Sequence, residues 1–311
     1  MIGESRTAAA GSRRAAVSVT RDVVGLMRPH QWTKNVVVFA GLVFSQSASN
    51  PGMVGRGAAA FLAFCLLSSG VYALNDVADV ERDRLHPKKC RRPIASGRIT
   101  PRTGLLLGLA WSAAGLATMF ALGVSAGITG AAYLALNLAY SFRLKHVVVL
   151  DVISISLGFV LRAIAGVEAL RPREPGIEIS PWLLVCTLFL ALFLSIAKRR
   201  QELVSLEGGA LAHRKALGDY TVPMLDQMTS AVTAVIILAY SLYTIWPATV
   251  AKFHTARLIY TVPFVVYGIF RYLFLVYRRD EGGNPSEVLL KDRALQLAVV
   301  GWGLLVALLL Y

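Results

Sequence analysis

The chain is poor in acid. Its 311 residues carry 18 Asp and Glu against 32 Lys and Arg, a formal net charge of +14. Cysteine is scarcer still: Cys65, Cys90 and Cys186 lie far apart, two of them inside apolar runs. That spacing excludes a disulfide framework and offers no metal-binding repeat; small apolar residues in helix packing account for all three. Residues 1–21 are rich in Ala, Ser and Arg but lack the apolar h-region of a secretory leader. They read as a disordered, basic cytoplasmic tail. From Asp22 onward no linker or strong repeat interrupts the chain, so 22–311 read as one catalytic domain.

What is abundant is apolar surface. Hydrophobic residues make up 56% of the chain, and the mean hydropathy is +0.58. One soluble core of this size has no room for so much apolar area, whereas membrane spans of roughly 17–25 residues do. The predicted spans are 28–47, 55–75, 104–122, 126–142, 148–168, 181–197, 229–250, 258–277 and 294–311. The expected fold is therefore all-α, a polytopic membrane protein of about nine transmembrane helices.

Charge distribution orients the spans. One set of loops and the tail hold 25 Lys and Arg, the other set 5, with Arg162 and Arg271 inside spans. Basic residues favour the cytoplasmic side, which places the N-terminus in the cytoplasm and the C-terminus outside. Confinement of the surplus to short loops also argues against nucleic acid as a partner. Topology and anionic lipid headgroups suffice to explain it.

The few acids are not scattered. Asn75, Asp76, Asp79 and Asp83 follow directly on the second predicted span. On a continuous helix they share an arc of about 100°, with Glu81 nearly opposite. Carboxylates crowded at a membrane edge repel one another and resist desolvation. Mg²⁺ relieves both, because it takes a few carboxylates together with water and substrate phosphate oxygens. Asp76, Asp79 and Asp83 are thus the expected metal and catalytic residues, with Asn75 an oxygen ligand or orienting amide. A plainer alternative is a helix end whose acids pair with Arg82, Arg84, Lys88 and Lys89.

The stretch Asn75-Asp76-x-x-Asp79-x-x-x-Asp83, with His86-Pro87-Lys88-Lys89 and Arg92-Pro93-Ile94-Ala95-Ser96-Gly97 after it, resembles the first motif of the UbiA superfamily of intramembrane prenyltransferases. That resemblance implies a UbiA-type helical bundle in which two Asp motifs hold Mg²⁺ against a prenyl diphosphate. The second motif departs from the family pattern: Asp151 is followed four residues later by Ile155, leaving one acid. Three further segments resemble the branch formed by the decaprenyl-phosphate phosphoribosyltransferases: Arg28-Pro29-His30-Gln31-Trp32-Thr33-Lys34-Asn35, Gly158–Gly166 and Ala197–Leu203. The branch implies phosphoribosyl pyrophosphate as the diphosphate substrate and polyprenyl (decaprenyl) phosphate as the acceptor, in the synthesis of cell-wall arabinan precursors. An aromatic prenyltransferase is the alternative.

Extra phosphates call for extra cations. Lys34 is expected to act in catalysis. Lys88, Lys89, Arg92, Tyr140, Lys145, Asp151, Lys198, Arg199 and Arg271 are expected to bind substrate, Arg271 as a lesser candidate. Arg162, about a dozen residues beyond Asp151, is expected to pair with Glu168 or to support structure. The expected location is the plasma membrane, with the site facing the cytoplasm, and a homo-oligomer is compatible with this reading. A phosphatase reporter fused after Tyr311 should be active and a cytoplasmic fluorescent reporter there dark; the opposite pattern would reverse the orientation.

Overall fold

The computed structural model describes residues 20–206, 218–279 and 285–311. Every regular element among them is helical: α1 (20–27), a 3₁₀ segment Pro29–Phe39, α2 (Ala40–Phe44), α3 (Pro51–Ala78), α4 (Val80–Leu85), α5 (Pro101–Leu122), α6 (Val124–Phe142), α7 (Leu150–Leu170), α8 (Pro181–Leu206), α9 (Val222–Ile245), α10 (Pro247–Phe253), α11 (Val262–Arg278), α12 (Pro285–Lys291) and α13 (Arg293–Leu310). Of the expected basic tail, 1–19 lie outside the described residues, and 20 and 21 already belong to α1.

The starts of the long helices follow from local chemistry. Asn50, Thr100, Thr221 and Asp292 each accept a hydrogen bond from a first-turn backbone N–H of the helix that follows. Pro stands in the first two positions of α3, α5 and α9, where a missing N–H costs nothing.

Seven helices among the described residues are long and apolar enough to cross a membrane: α3, α5, α7, α8, α9, α11 with the 3₁₀ turn before it, and α13. The other two predicted spans take different forms. Residues 126–142 fall in α6, 19 residues long. Residues 28–47 are not an α-helix of span length, because Pro29–Phe39 winds as a 3₁₀ helix before the five-residue α2. A 3₁₀ helix rises about 2.0 Å per residue, so Pro29–Phe44 still extends about 30 Å, the thickness of a hydrocarbon core.

Neighbours in sequence are mostly neighbours in space. Contacts run α3–α5–α6–α7–α8–α9–α11–α13, and the 3₁₀ segment packs on both α3 and α7. The end of the chain closes the ring on its beginning: Gln46 donates to the Leu310 carbonyl at 2.8 Å and the Tyr311 hydroxyl to that of Val43 at 3.2 Å.

Two seams are close enough to exclude a side chain. A Cβ on Gly70 would strike Ser112 Oγ and the Gly108 carbonyl of α5. One on Gly166 of α7 would strike the Val38 carbonyl, and one on Gly41 would lie 2.8 Å from the backbone N of Val167. The first segment thus lies backbone against backbone on α7, as small residues permit in membranes. Gly166→Ala should destabilise the fold by at least about 1–3 kcal/mol through overpacking. Gly55→Ala, with nothing within 4 Å of the added Cβ, should not. Thermal unfolding in detergent checks the pair, and equal midpoints would refute the seam.

Candidate active site at the mouth of the helix ring

The helices enclose a cavity of about 3090 Å³. At one end its wall carries Arg28, Lys34, Asn75, Asp79, Asp83, Lys89, Arg92, Tyr140, Lys145, Lys198 and Arg199. Deeper it is mostly apolar, lined by side chains such as Phe159, Leu194 and Tyr243. A charged mouth over an apolar chamber suits an amphipathic ligand.

The acidic stretch does not run on one helix. α3 ends at Ala78, Asp79 takes φ −98° and ψ 10°, and α4 starts at Val80. The break leaves Asn75, Asp79 and Asp83 on the cavity wall and Asp76, 2% exposed, just behind it. Glu81 points away and pairs with Arg84 at 3.0 Å, as the helical projection predicts.

Cations hold the acids. Arg92 Nη1 lies 3.0 Å from Asp76 and 2.5 Å from Asp83, and the guanidinium of Arg28 is 2.5 Å from Asp76 Oδ1. Lys145 and Arg82 stand 3.8 and 3.9 Å from Asp79, and Lys89 stands 3.8 Å from Asp83. Arg28 reaches Asp76 from a left-handed backbone, φ 53°, with its guanidinium over the Tyr72 ring. The plainer alternative, pairing with local cations, is thus partly realised. Its chief partners are Arg28 and Arg92, however, not the helical neighbours. His86 organises the turn that follows, its Nδ1 accepting from the backbone of Lys88 and Lys89.

Among the described residues no three His, Cys, Asp or Glu side chains converge on one metal-sized point. That is compatible with Mg²⁺, which binds through one or two carboxylates and completes its shell with water and substrate phosphate. The residues present fit such an ion: Asp76 Oδ2 is buried with no hydrogen-bond partner, and Asp79 and Asp83 open on the cavity.

The second cap is built differently. Asp151 opens α7, 1% exposed, and is fully engaged: Arg199 Nε lies 2.6 Å from its Oδ2, and the Tyr220 hydroxyl donates to its Oδ1 at 2.7 Å. Burial, and then this hydrogen bond, push the Tyr220 phenol far above its usual range. Arg199 also binds Glu202 at 2.6 Å and Tyr140 Oη at 3.3 Å.

Residues 35–290 match the UbiA prenyltransferase family. The chain belongs to it. A decaprenyl-phosphate phosphoribosyltransferase of Corynebacterium glutamicum is 33% identical over 307 residues, covering 96% of this chain and 90% of that protein. The enzyme of the same name from Mycobacterium tuberculosis is 33% identical over 286 residues, with 90% and 91% covered. The structure of a UbiA homolog from Archaeoglobus fulgidus bound to GPP and Mg²⁺ superimposes with a TM-score of 0.68 at 19% identity, covering 93% of this chain and 96% of that one. Family membership and seven apolar helices make this an integral membrane protein with a UbiA fold.

Within that fold the remaining expected residues divide. Lys34, Lys89, Arg92, Tyr140, Lys145, Lys198 and Arg199 reach the cavity wall, whereas Lys88 does not. Arg271 lies away from it, 2.7 Å from Asp292, the N-cap of α13. That hydrogen bond holds the Asp292 carboxyl below its ordinary range, so the charge of Arg271 serves a helix start. Glu168 pairs with Arg171 at 2.8 Å; the expected Arg162–Glu168 pair is absent, because residues six apart on a helix lie about 9 Å apart along the axis and about 120° apart around it. Arg28, Asn35 and Tyr220 were not among the expected site residues. The Arg28–Asn35 motif marks the first two. Nothing local marks Tyr220, 69 residues from Asp151.

Arg199→Gln should leave the Asp151 charge buried and unpaired, at about 3–5 kcal/mol. The double variant Asp151→Asn/Arg199→Gln should recover most of that loss in thermal unfolding. A double variant as unstable as the single one would show that the pair does not act as a unit.

Proposed function

We propose that the protein transfers the 5-phosphoribosyl group of phosphoribosyl pyrophosphate to polyprenyl phosphate, releasing pyrophosphate and supplying a cell-wall arabinan precursor. One observation carries the reading. Asp151 is spent on Arg199 and Tyr220, so the cap beside the Asp motif presents Lys145, Lys198 and Arg199 to the cavity with one carboxylate, Glu202, between the last two, in place of a second carboxylate pair. A site with one acidic face and a basic one suits a single Mg²⁺-diphosphate accompanied by further phosphates. The relatives bearing the phosphoribosyltransferase name support the same choice.

Asp76, Asp79 and Asp83 would hold Mg²⁺, with Asn75 beside them. When bound, the ion neutralises charge on the diphosphate. The protein's own side chains position the rest. Lys34, Lys89, Arg92, Lys145, Lys198 and Arg199 meet phosphate oxygens, and Tyr140 braces Arg199. The bond from ribose C1 to the diphosphate breaks as a lipid phosphate oxygen forms a new one to C1. Positive charge builds on the sugar, as in other glycosyl transfers. A phosphate monoester is already anionic near neutral pH, so no strong base is needed. Orientation and charge complementarity supply the catalysis. Nine crossings, with the charged mouth on the cytoplasmic face of the plasma membrane, accord with the basic loops.

Purified protein with Mg²⁺, labelled phosphoribosyl pyrophosphate and decaprenyl phosphate should yield labelled lipid and pyrophosphate in equal amounts. Asp79→Asn should lower turnover by about 100-fold or more without changing elution in size-exclusion chromatography. Turnover of a prenyl diphosphate with an aromatic acid, and none of phosphoribosyl pyrophosphate, would favour the aromatic prenyltransferase instead.

A further inference from the structure

Arg162 is a buried charge inside the helix ring. It sits within α7, 6% exposed, and no carboxylate pairs with it among the described residues. Its three hydrogen bonds go to neutral acceptors: Nε to Asn35 Oδ1 at 2.8 Å, Nη1 to the Gly158 carbonyl at 2.9 Å and Nη2 to Tyr133 Oη at 2.7 Å. Tyr133 and Phe159 present ring faces to it at 4.7 and 5.1 Å. A guanidinium has five N–H donors, so two remain without an acceptor.

The arrangement is built, not incidental. Asn35 is fully buried, and its amide nitrogen donates to Ser68 Oγ at 3.3 Å and Cys65 Sγ at 3.4 Å. That fixes its oxygen toward Arg162. Arg162 and Lys34 both reach the cavity wall, and no acid pairs with Lys34 among the described residues either. Two cations without counter-charges, in a low-dielectric wall, are stable beside an anion supplied from the cavity.

We infer that Arg162 and Lys34 form a phosphate-monoester site that receives the headgroup of the lipid acceptor. The choice of the lipid over the 5-phosphate of the sugar rests on the phosphoribosyl-transfer reading and on position. Arg162 stands about 16 Å along α7 from Asp151, where the wall turns apolar at Phe159. Asn35 is a positioning residue, holding the guanidinium without cancelling its charge.

Asn35→Asp tests this with almost no change of shape. A carboxylate gives up the amide's two donations to Ser68 and Cys65 but gains an ion pair with Arg162, so it would keep the structural hold on the guanidinium while quenching the anion site. The variant should unfold no earlier than wild type, show an apparent KM for polyprenyl phosphate raised about tenfold or more, and keep its KM for phosphoribosyl pyrophosphate. Arg162→Gln should shift the same constant. Independently of turnover, native mass spectrometry with equal farnesyl phosphate and farnesol should find the monophosphate retained by wild type. Asn35→Asp should lose that preference. A preference that persists in both variants, or a KM change confined to phosphoribosyl pyrophosphate, would overturn the inference. If wild type turns over no phosphoribosyl pyrophosphate, the reaction fails and the binding comparison alone decides the site.

Discussion

Arg92 holds two carboxylates with one nitrogen, 3.0 Å from Asp76 and 2.5 Å from Asp83. Acids at the edge of a bilayer need cations nearby, since neither water nor lipid compensates them. Much of the mouth is arranged around that requirement. The helix breaks at Asp79, so that acids from α3 and α4 open on one cavity. The His86 turn carries Lys89 back toward Asp83, and Arg28 adopts a left-handed conformation to reach Asp76. These contacts keep the acidic face compensated without any ligand. Asp76 Oδ2, buried and unpartnered, marks where the balance is incomplete.

The second cap solves the same problem with the opposite surplus. Asp151 is neutralised by Arg199, and the basic side of that pair faces the cavity. Lys145 joins the two caps through Asp79 at 3.8 Å. The cavity is therefore flanked by an acidic cap on one side and a largely basic one on the other. The ring of helices supplies the apolar chamber, and its glycine seams at Gly70 and Gly166 hold the staves near enough for these side chains to meet.

Much of this was legible in the chain. Hydropathy located the helices, and the acidic motif located the mouth. The single acid of the second motif, Asp151, is paired with Arg199, and the expected cations Lys145 and Lys198 reach the cavity wall. Periodicity placed Glu81 correctly but took Asn75–Asp83 as one helix, because nothing in the pattern announced the break at Asp79. Sequence alone does not separate Arg271 from Arg162 for a related reason. Both are intramembrane arginines of similar cost, and only tertiary contacts show that one has Asp292 beside it while the other has no acid. Tyr220 was out of reach, since its tie to Asp151 crosses 69 residues. The 3₁₀ winding of Pro29–Phe39 was equally hidden, as its composition suits an α-helix just as well.

That winding makes the first segment a ruler. Three residues complete each turn, so Gln31, Lys34 and Val37 stand in one file, and all three face the cavity. In an α-helix each step of three would drift by about 60°, turning Val37 well away from the line of Gln31. The same winding sets Pro29, next to Arg28, and Asn35, which holds Arg162, about 12 Å apart along the axis, against about 9 Å in an α-helix. The distance between the end that grips Asp76 and the end beside Arg162 is thereby set by backbone geometry, before any side chain adjusts.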